Sequence, residues 1–460
     1  MNPDASTFDV IVVGGGLAGH CAAAEASKQG ATVLLLEKER ATGGSTALSG
    51  GFFAFANTPL QREHGIADNP DQLFADLRTV GGDVNDPALL RAYVDHQLEL
   101  HDWLVELGVT FPALELSAGQ SVPRSHQSDI GQVLELIQAR AVASGTVTLR
   151  TGVAARRLLR DGNEGRITGV LTDGGTIAAR GGVVLATGGF SRSEQLLREF
   201  APNQQGALRM GGSGNVGDGL RMAWRLGAGL RDMHFIKGTF GTHPESGSER
   251  HEILLAFYMG AIIVNRRGRR FVDESSPYKL LGDACLEQPS ATAYQILDQK
   301  ILDRSDPNVP LFNLAPAVKR GLMRSADTLE ELAVKCGIDA ETLVETLQRY
   351  NAGVDGGRDA EFGRDGLCNH AGALLRIDQP PYYAYPSASV VLATYCGLTV
   401  TPEAQVLDVF GDWIEGLYAA GEIIGGFHGA GYMTGTSLGK AALFGRIAGR
   451  SASLRVAPSR

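Results

Sequence analysis

Cysteine is scarce in this chain. Five residues, Cys21, Cys285, Cys336, Cys368 and Cys396, are spread over 460 positions. None stands at a zinc-ligand or CxxCH haem spacing. An odd number with no close pair argues against a disulfide framework and for free thiols in a reducing compartment, the cytoplasm. Long apolar runs are missing too: no stretch approaches the ~18 residues needed to cross a bilayer. Met1 to Phe8 is short and polar and runs straight into a strand, unlike a signal peptide. Positive charge is in deficit, with 42 Lys and Arg against 51 Asp and Glu and a net charge of −9. Nucleic acid is therefore not an expected partner. The 43% apolar and 20% charged residues are those of an ordinary globular protein and exclude a disordered or fibrous chain. At this length two or three domains are expected.

Glycine is in excess, at 60 residues, close to twice the usual share of about 7%. No Gly-X-Y period accompanies it. Such an excess marks tight turns and places where backbone approaches a ligand. Twenty-two of the 60 glycines fall in five segments: 14–19, 43–51, 188–189, 211–219 and 421–439.

The first segment sits in a β-α-β pattern. Phe8 to Val13 (FDVIVV) is a short β-branched run, hence a buried strand. A small-residue helix, Leu17 to Gln29, follows, then a second buried strand, Ala31 to Leu36. Between strand and helix lies Gly14-Gly15-Gly16-Leu17-Ala18-Gly19, a GxGxxG. Gly14 permits the tight turn, Gly16 lets backbone reach a pyrophosphate, and Gly19 lets helix pack on strand. The helix start supplies N–H groups and a positive dipole to phosphates. Glu37 ends the second strand, where an acid should meet ribose hydroxyls. In that context the motif specifies a dinucleotide site.

Further along, the pattern predicts helices within 70–107 and at 131–144, a strand at 147–151, a hairpin of 166–171 with 176–179, and a buried strand at 182–186. The middle of the chain changes character, with a strand at 261–265, helices near 290–302 and 327–350, and a polar loop at 354–366. From about 385 the early strand, Gly-loop, helix style returns. The expected fold class is α/β: a Rossmann-like nucleotide-binding domain (1–240 and 376–460) interrupted by an α+β substrate (cap) domain (241–375).

Further segments follow the acid in a fixed order: Glu37-Lys38 and then GGST and SGG to Gly51, ATGG at 186–189, GDG at 217–219, RGRRFVDE at 267–274, PYYA at 381–384, AAGE at 419–422, and Thr436-Ser437-Leu438-Gly439 opening an apolar helix. This set resembles the flavoproteins of the fumarate reductase and succinate dehydrogenase group, which includes the 3-ketosteroid dehydrogenases, over nearly the whole chain. The resemblance implies FAD. It places Glu37 and Lys38 at the adenosine ribose, Val153 at the adenine edge, and Ser45, Thr46, Gly50 and Gly51 along the pyrophosphate and isoalloxazine. It puts Glu422 at the ribityl or ribose, and Ser437 and Leu438 with their amides towards the flavin pyrimidine. Gly14, Gly16, Leu17, Ala18, Gly19, Gly44, Ser49, Ala186, Thr187, Gly188, Asp218 and Gly421 complete the implied cofactor contacts. A helix start aimed at the pyrimidine favours the reduced anionic flavin. Members that attach FAD covalently use a His near Ser45–Thr46. None lies between Gly43 and Phe55, so the implied FAD is non-covalent.

The chain departs from the fumarate reductases where they hold a dicarboxylate. Tyr278, in Glu274-Ser275-Ser276-Pro277-Tyr278, stands in place of an arginine that donates a proton. Tyr432, in His428-Gly429-Ala430-Gly431-Tyr432, stands in place of an arginine that binds carboxylate. Ala393-Thr394-Tyr395-Cys396-Gly397 lacks the histidine of an HTMGG-like run. A guanidinium suits a carboxylate; a phenol suits a neutral carbonyl or serves as a base. These segments resemble the 3-ketosteroid dehydrogenases, in particular the 4-ene-forming (5α) type. They imply α,β-desaturation of a small-molecule ketone, a 3-oxosteroid or a smaller cyclic ketone. Tyr432 is the expected base with Thr434 tuning it, Tyr278 polarises the carbonyl or supports Tyr432, and the Gly431 amide is an oxyanion donor; the tyrosines' roles are exchangeable. The alternative is a fumarate-like or enoate reductase running the reverse reaction. No second GxGxxG unit is visible, so NAD(P)H is not the expected direct partner and the electron acceptor is unnamed. Arg124, His126 and His243 read as structural or pocket-lining rather than catalytic, and Arg266 to Arg270 as a solvated turn.

Overall fold

The computed structural model describes residues 7–246, 252–276, 278–307, 309–368 and 372–456. The chain divides into two compact units, one of residues 1–201, 211–237 and 393–460, the other of 202–210 and 238–392.

The first unit is built on a mixed sheet. Strand β1 (Thr7–Val13) leads through a Gly turn into helix α1 (Leu17–Lys28) and back to β2 (Val33–Leu36). Next come β3 (Val147–Arg150) and β4 (Gly175–Leu185), then β5 (Trp413–Ala419) and the long helix α2 (Thr436–Ser453). The sheet order is the edge strand Gln405–Leu407, then β5, β4, β1, β2 and β3. From β5 to β3 all pairs are parallel, with Val12 facing Leu35 on one side and Val184 on the other. Val10, Ile11 and Val12 are fully buried, which is why this strand is a continuous apolar run rather than an alternating one.

Small residues let α1 and α2 pack closely. A Cβ on Gly445 would lie 2.4 Å from the Ala18 carbonyl oxygen, and one on Gly449 2.2 Å from that of Ala22. Only glycine tolerates this spacing. The expected hairpin of 166–171 with 176–179 and the strand at 182–186 merge, because β4 is one strand. Its first half pairs antiparallel with Ile167–Thr172 and its second half parallel with β1.

In the second unit the long strand Tyr382–Thr394 pairs antiparallel with Thr292–Asp298 and Arg324–Ala326. The helix expected over 290–302 is therefore mostly strand, with a short helix only at Gln299–Leu302. The segment TAYQILD is buried from Ala293 onward, and burial on both faces hides the period that separates strand from helix. Helices Leu329–Cys336 and Ala340–Asp355 fill the 327–350 expectation. Residues 202–210, 238–240 and 376–392, assigned from sequence to the nucleotide-binding part, cluster with this unit, because strand pairing along 382–391 draws them there.

Among the described residues no helix is long and apolar enough to cross a membrane.

Candidate active site

The first unit assembles its motifs from the acid outward. The Glu37 carboxylate accepts the Gly15 amide at 2.8 Å and the Glu39 amide at 2.8 Å. The Val153 amide donates to the Glu37 carbonyl at 2.9 Å. The expected adenine-edge residue and the expected ribose acid are thus joined. Gly14 takes a φ of +111°, and a Cβ there would lie 2.3 Å from the Ala186 carbonyl. A Cβ on Gly19 would lie 1.8 Å from the Gly14 carbonyl, so this position holds the helix against the turn. Gly16 faces only Thr46 Oγ1 and the Gly43 carbonyl, no closer than 3.6 Å, and the Leu17 amide donates to Thr46 Oγ1 at 3.2 Å.

Distant segments close around the same turn. Lys38 Nζ meets the Asp218 carboxylate at 2.5 Å. Gly212 N donates to Ser45 Oγ at 3.0 Å, and a Cβ on Gly212 would lie 2.7 Å from the backbone at Gly44 and Ser45. A Cβ on Gly421 would lie 2.9 Å from that of Ala18. The Glu422 carboxylate accepts from Thr394 N at 2.9 Å, Thr394 Oγ1 at 3.2 Å and Asn215 Nδ2 at 3.1 Å. The same carboxylate limits space at Gly188 and Gly189. The GGST, ATGG, GDG and AAGE segments are therefore neighbours.

This arrangement fits a dinucleotide. Ala18 and Gly19 open α1, where the first amides lack intrahelical acceptors. Ser49 Oγ, Thr187 Oγ1 and Asn215 Oδ1 are buried without partners among the described residues. Buried polar atoms are ordinarily satisfied, and those three lie in the segments expected along the cofactor. Ser49, Gly50 and Gly51 precede the strand Phe52–Ala54. Ser437 and Leu438 sit in the first turn of α2, after Gly435 in the left-handed conformation.

Tyr432 lies in a segment fastened at both ends. Ala430 N donates to the Gly81 carbonyl at 3.0 Å, and Thr434 N to the Ala118 carbonyl at 3.0 Å. The Thr434 carbonyl accepts Gln120 Nε2 at 3.0 Å. A Cβ on Gly431 would lie 2.1 Å from the Val80 carbonyl, so glycine is required there for packing alone. The Tyr432 ring stacks on Tyr395, with centroids 6.0 Å apart and planes at 17°. His428 meets it edge-on at 5.5 Å. Tyr93 donates to the Ala54 carbonyl at 2.5 Å, and its phenol is pushed up by burial and, to a smaller degree, by Tyr432. Tyr93, Tyr395 and His428 were not singled out from sequence. Tyr395 and His428 stand inside the two segments expected from the sequence to depart from the fumarate reductases, a signal that was available.

Tyr278 belongs to the second unit and opens the helix Tyr278–Leu286; its side chain lies outside the described residues, as does Pro277. His243 is buried with its Nδ1 accepting the Glu245 amide at 3.2 Å, a turn-holding role. Arg124 is fully buried, with Nε and Nη2 on the Asp68 carboxylate at 2.6 Å and Nη1 on Asp76. His126 bonds Thr58 Oγ1 at 2.8 Å, and burial pushes its imidazole down to about 4. These bonds tie both side chains into the fold. The solvated turn expected over 266–270 needs correcting at Arg270. Its side chain is buried and held by Glu274 and Asp359 at 2.6 to 2.8 Å, because Asp359, remote in sequence, supplies the second carboxylate.

The family model described as FAD binding domain matches residues 9–438. The chain is 33% identical over 459 residues to a fumarate reductase (cytochrome) of Shewanella frigidimarina, covering 97% of this chain and 77% of that protein. It is 30% identical over 506 residues to a 4-oxocyclohexanecarboxylate 2-dehydrogenase of Sinomonas cyclohexanicum, covering 90% of this chain and 87% of that protein. The solved structure of a 3-ketosteroid-Δ4-(5α)-dehydrogenase from Rhodococcus jostii RHA1 matches with a TM-score of 0.78 at 26% identity, over 98% of each chain. With its motifs gathered around one dinucleotide site, the chain belongs to the FAD-binding family of fumarate reductase and succinate dehydrogenase flavoproteins and is a FAD-dependent oxidoreductase acting on carbon–carbon bonds.

Proposed function

We propose that the protein desaturates a cyclic ketone between its α and β carbons. The observation that carries this is Tyr432, stacked on Tyr395 and flanked by His428, where the fumarate reductases are expected to carry a carboxylate-binding arginine. Aromatic walls suit the apolar face of a carbocyclic ring, and a phenol is a competent proton acceptor once ionised. The similarity to a 4-oxocyclohexanecarboxylate 2-dehydrogenase and to a 3-ketosteroid dehydrogenase supports the same substrate class.

In this reading Glu37, Lys38, Ser45, Thr46, Asn215, Glu422 and the amides at the starts of α1 and α2 hold FAD non-covalently. Bound FAD supplies the hydride acceptor. Tyr432 takes the α-proton, and Thr434 sets its basicity. The Gly431 amide donates to the ketone oxygen, where negative charge develops; Tyr278 enters on the family resemblance alone, as carbonyl donor or as support of Tyr432, and the two tyrosines are exchangeable. The electrons then pass to an acceptor of unspecified class. The five free cysteines suit a reducing compartment, consistent with the cytoplasm.

The 33% identity to a fumarate reductase favours a second reading, in which the same residues run the reverse reduction of an activated alkene. Anaerobic titration of the yellow holoenzyme separates the two. Bleaching of the flavin band by 4-oxocyclohexanecarboxylate, another cyclohexanone or a 3-oxosteroid supports desaturation. If no ketone bleaches it, and the chemically reduced enzyme is reoxidised by fumarate, the desaturation reading is wrong.

A further inference from the structure

Helix α2 buries two cations, and they are treated differently. Arg446 Nε meets the Glu25 carboxylate at 3.0 Å and Nη2 meets Glu99 at 3.1 Å. Lys440 is 1% exposed, yet among the described residues its Nζ has a single hydrogen bond, to the Ile424 carbonyl at 2.9 Å. The Phe427 ring lies 5.6 Å away. Among the described residues no carboxylate stands at ion-pair distance from it. An ammonium has three donors and strong hydration, so burying it with one carbonyl is costly unless an anion compensates.

The position of this lysine bears on the cofactor. It follows Ser437 and Leu438 by less than one turn of α2. Its one partner, Ile424, lies two residues beyond Glu422. Asp232, which accepts the Gly426 amide at 3.0 Å, Glu422 and Cys396 are the titratable groups that act on it. Glu422 is already engaged by Asn215 and Thr394, and Asp232 by the Gly426 amide, so among the described residues no carboxylate forms an ion pair with Lys440.

We propose that Lys440 is a positioned cation for the redox step: its ammonium compensates the negative charge that two-electron reduction leaves on bound FAD, and so makes the flavin a stronger oxidant. Burial pushes the amine down to about 8, against the pull of Glu422, Cys396 and Asp232, which leaves it mostly protonated at neutral pH. This role adds to the helix dipole at the start of α2 and is independent of which carbon–carbon substrate is used.

The test is spectroelectrochemical titration of the holoenzyme and of Lys440→Met and Lys440→Gln, with sulfite binding as a second readout. Sulfite forms an anionic flavin adduct and so reports the same charge. Gln keeps a donor for the Ile424 carbonyl, which separates charge from anchoring. Both variants are expected to lower the equilibrium constant for flavin reduction about tenfold, a shift of about 30 mV to more negative potential for a two-electron couple, and to weaken sulfite binding similarly. Lys440→Gln should retain FAD. A wild-type potential and sulfite affinity in Lys440→Gln overturns the proposal, whatever Lys440→Met does. Loss of FAD from both variants overturns it too, since it would make Lys440 an anchor of the 421–426 turn.

Discussion

The carboxylate of Glu37 accepts the backbone amide of Gly15 at 2.8 Å. This bond, with its partner to the Glu39 amide, ties the end of β2 to the glycine turn after β1. Glu37→Gln replaces two charge-assisted bonds by at most one neutral one. Such bonds contribute about 1.5–3 kcal/mol, so FAD affinity is expected to fall by about 10- to 100-fold. Titration of the apoprotein with FAD, followed by flavin fluorescence, checks this; unchanged affinity would remove Glu37 from the cofactor site.

Gly19→Ala places a methyl 1.8 Å from the Gly14 carbonyl oxygen. Backbone on both sides leaves no flexible group to yield. The variant should lose about 3 kcal/mol or more of stability and purify with little flavin. Thermal melting and the flavin-to-protein absorbance ratio measure both. A yellow variant melting like the parent would show that α1 can shift away from the turn.

Tyr432→Phe keeps the ring stacked on Tyr395 and removes the phenol. On the proposed mechanism it should lose about 10²–10⁴-fold in the reductive half-reaction with ketone, the usual contribution of a general base, while retaining FAD. Stopped-flow absorbance under anaerobic conditions measures the rate. Full activity would take Tyr432 out of the chemistry.

The buried Arg124 cluster should make the fold acid-sensitive. Burial pulls the Asp76 carboxyl up, but hydrogen bonds from Ser121 and Arg124 outweigh it, and its pKa lies below the ordinary 3.8. A carboxylate lowered on folding stabilises the native state above its unfolded pKa, and that contribution is lost as pH falls through the folded value. Asp76→Asn leaves Arg124 paired with Asp68 and should therefore cost about 1.5–3 kcal/mol at pH 7, the range for a charge-assisted hydrogen bond, and the difference from the parent should shrink below pH 4. Urea unfolding at a series of pH values tests the sign. A gap that widens in acid would contradict it.

Much of the cofactor half was legible in the sequence because its signals are local. GxGxxG, the β-branched strands beside it and the acid at Glu37 each follow from a few contiguous residues. The inner half of the second unit was less legible. TAYQILD reads as helix or strand until its partner Tyr382–Asp298 pairing decides between them, and a partner 84 positions away leaves no mark on local periodicity. Arg270 looked solvated for the same reason, since Asp359 arrives from elsewhere in the chain.

What the sequence determined by itself was the dinucleotide turn, because residue type at a fixed spacing dictates it; that Tyr278 and Tyr432 stand where fumarate reductases carry arginines is what the family resemblance implies. Tertiary structure alone decided what surrounds them. It set Tyr395 and His428 against Tyr432, committed Glu422 to Thr394 and Asn215, and left Lys440 buried with one carbonyl. Burial and pairing between residues far apart in sequence are properties of the packed chain, and they determine which charges are compensated and which remain for a ligand.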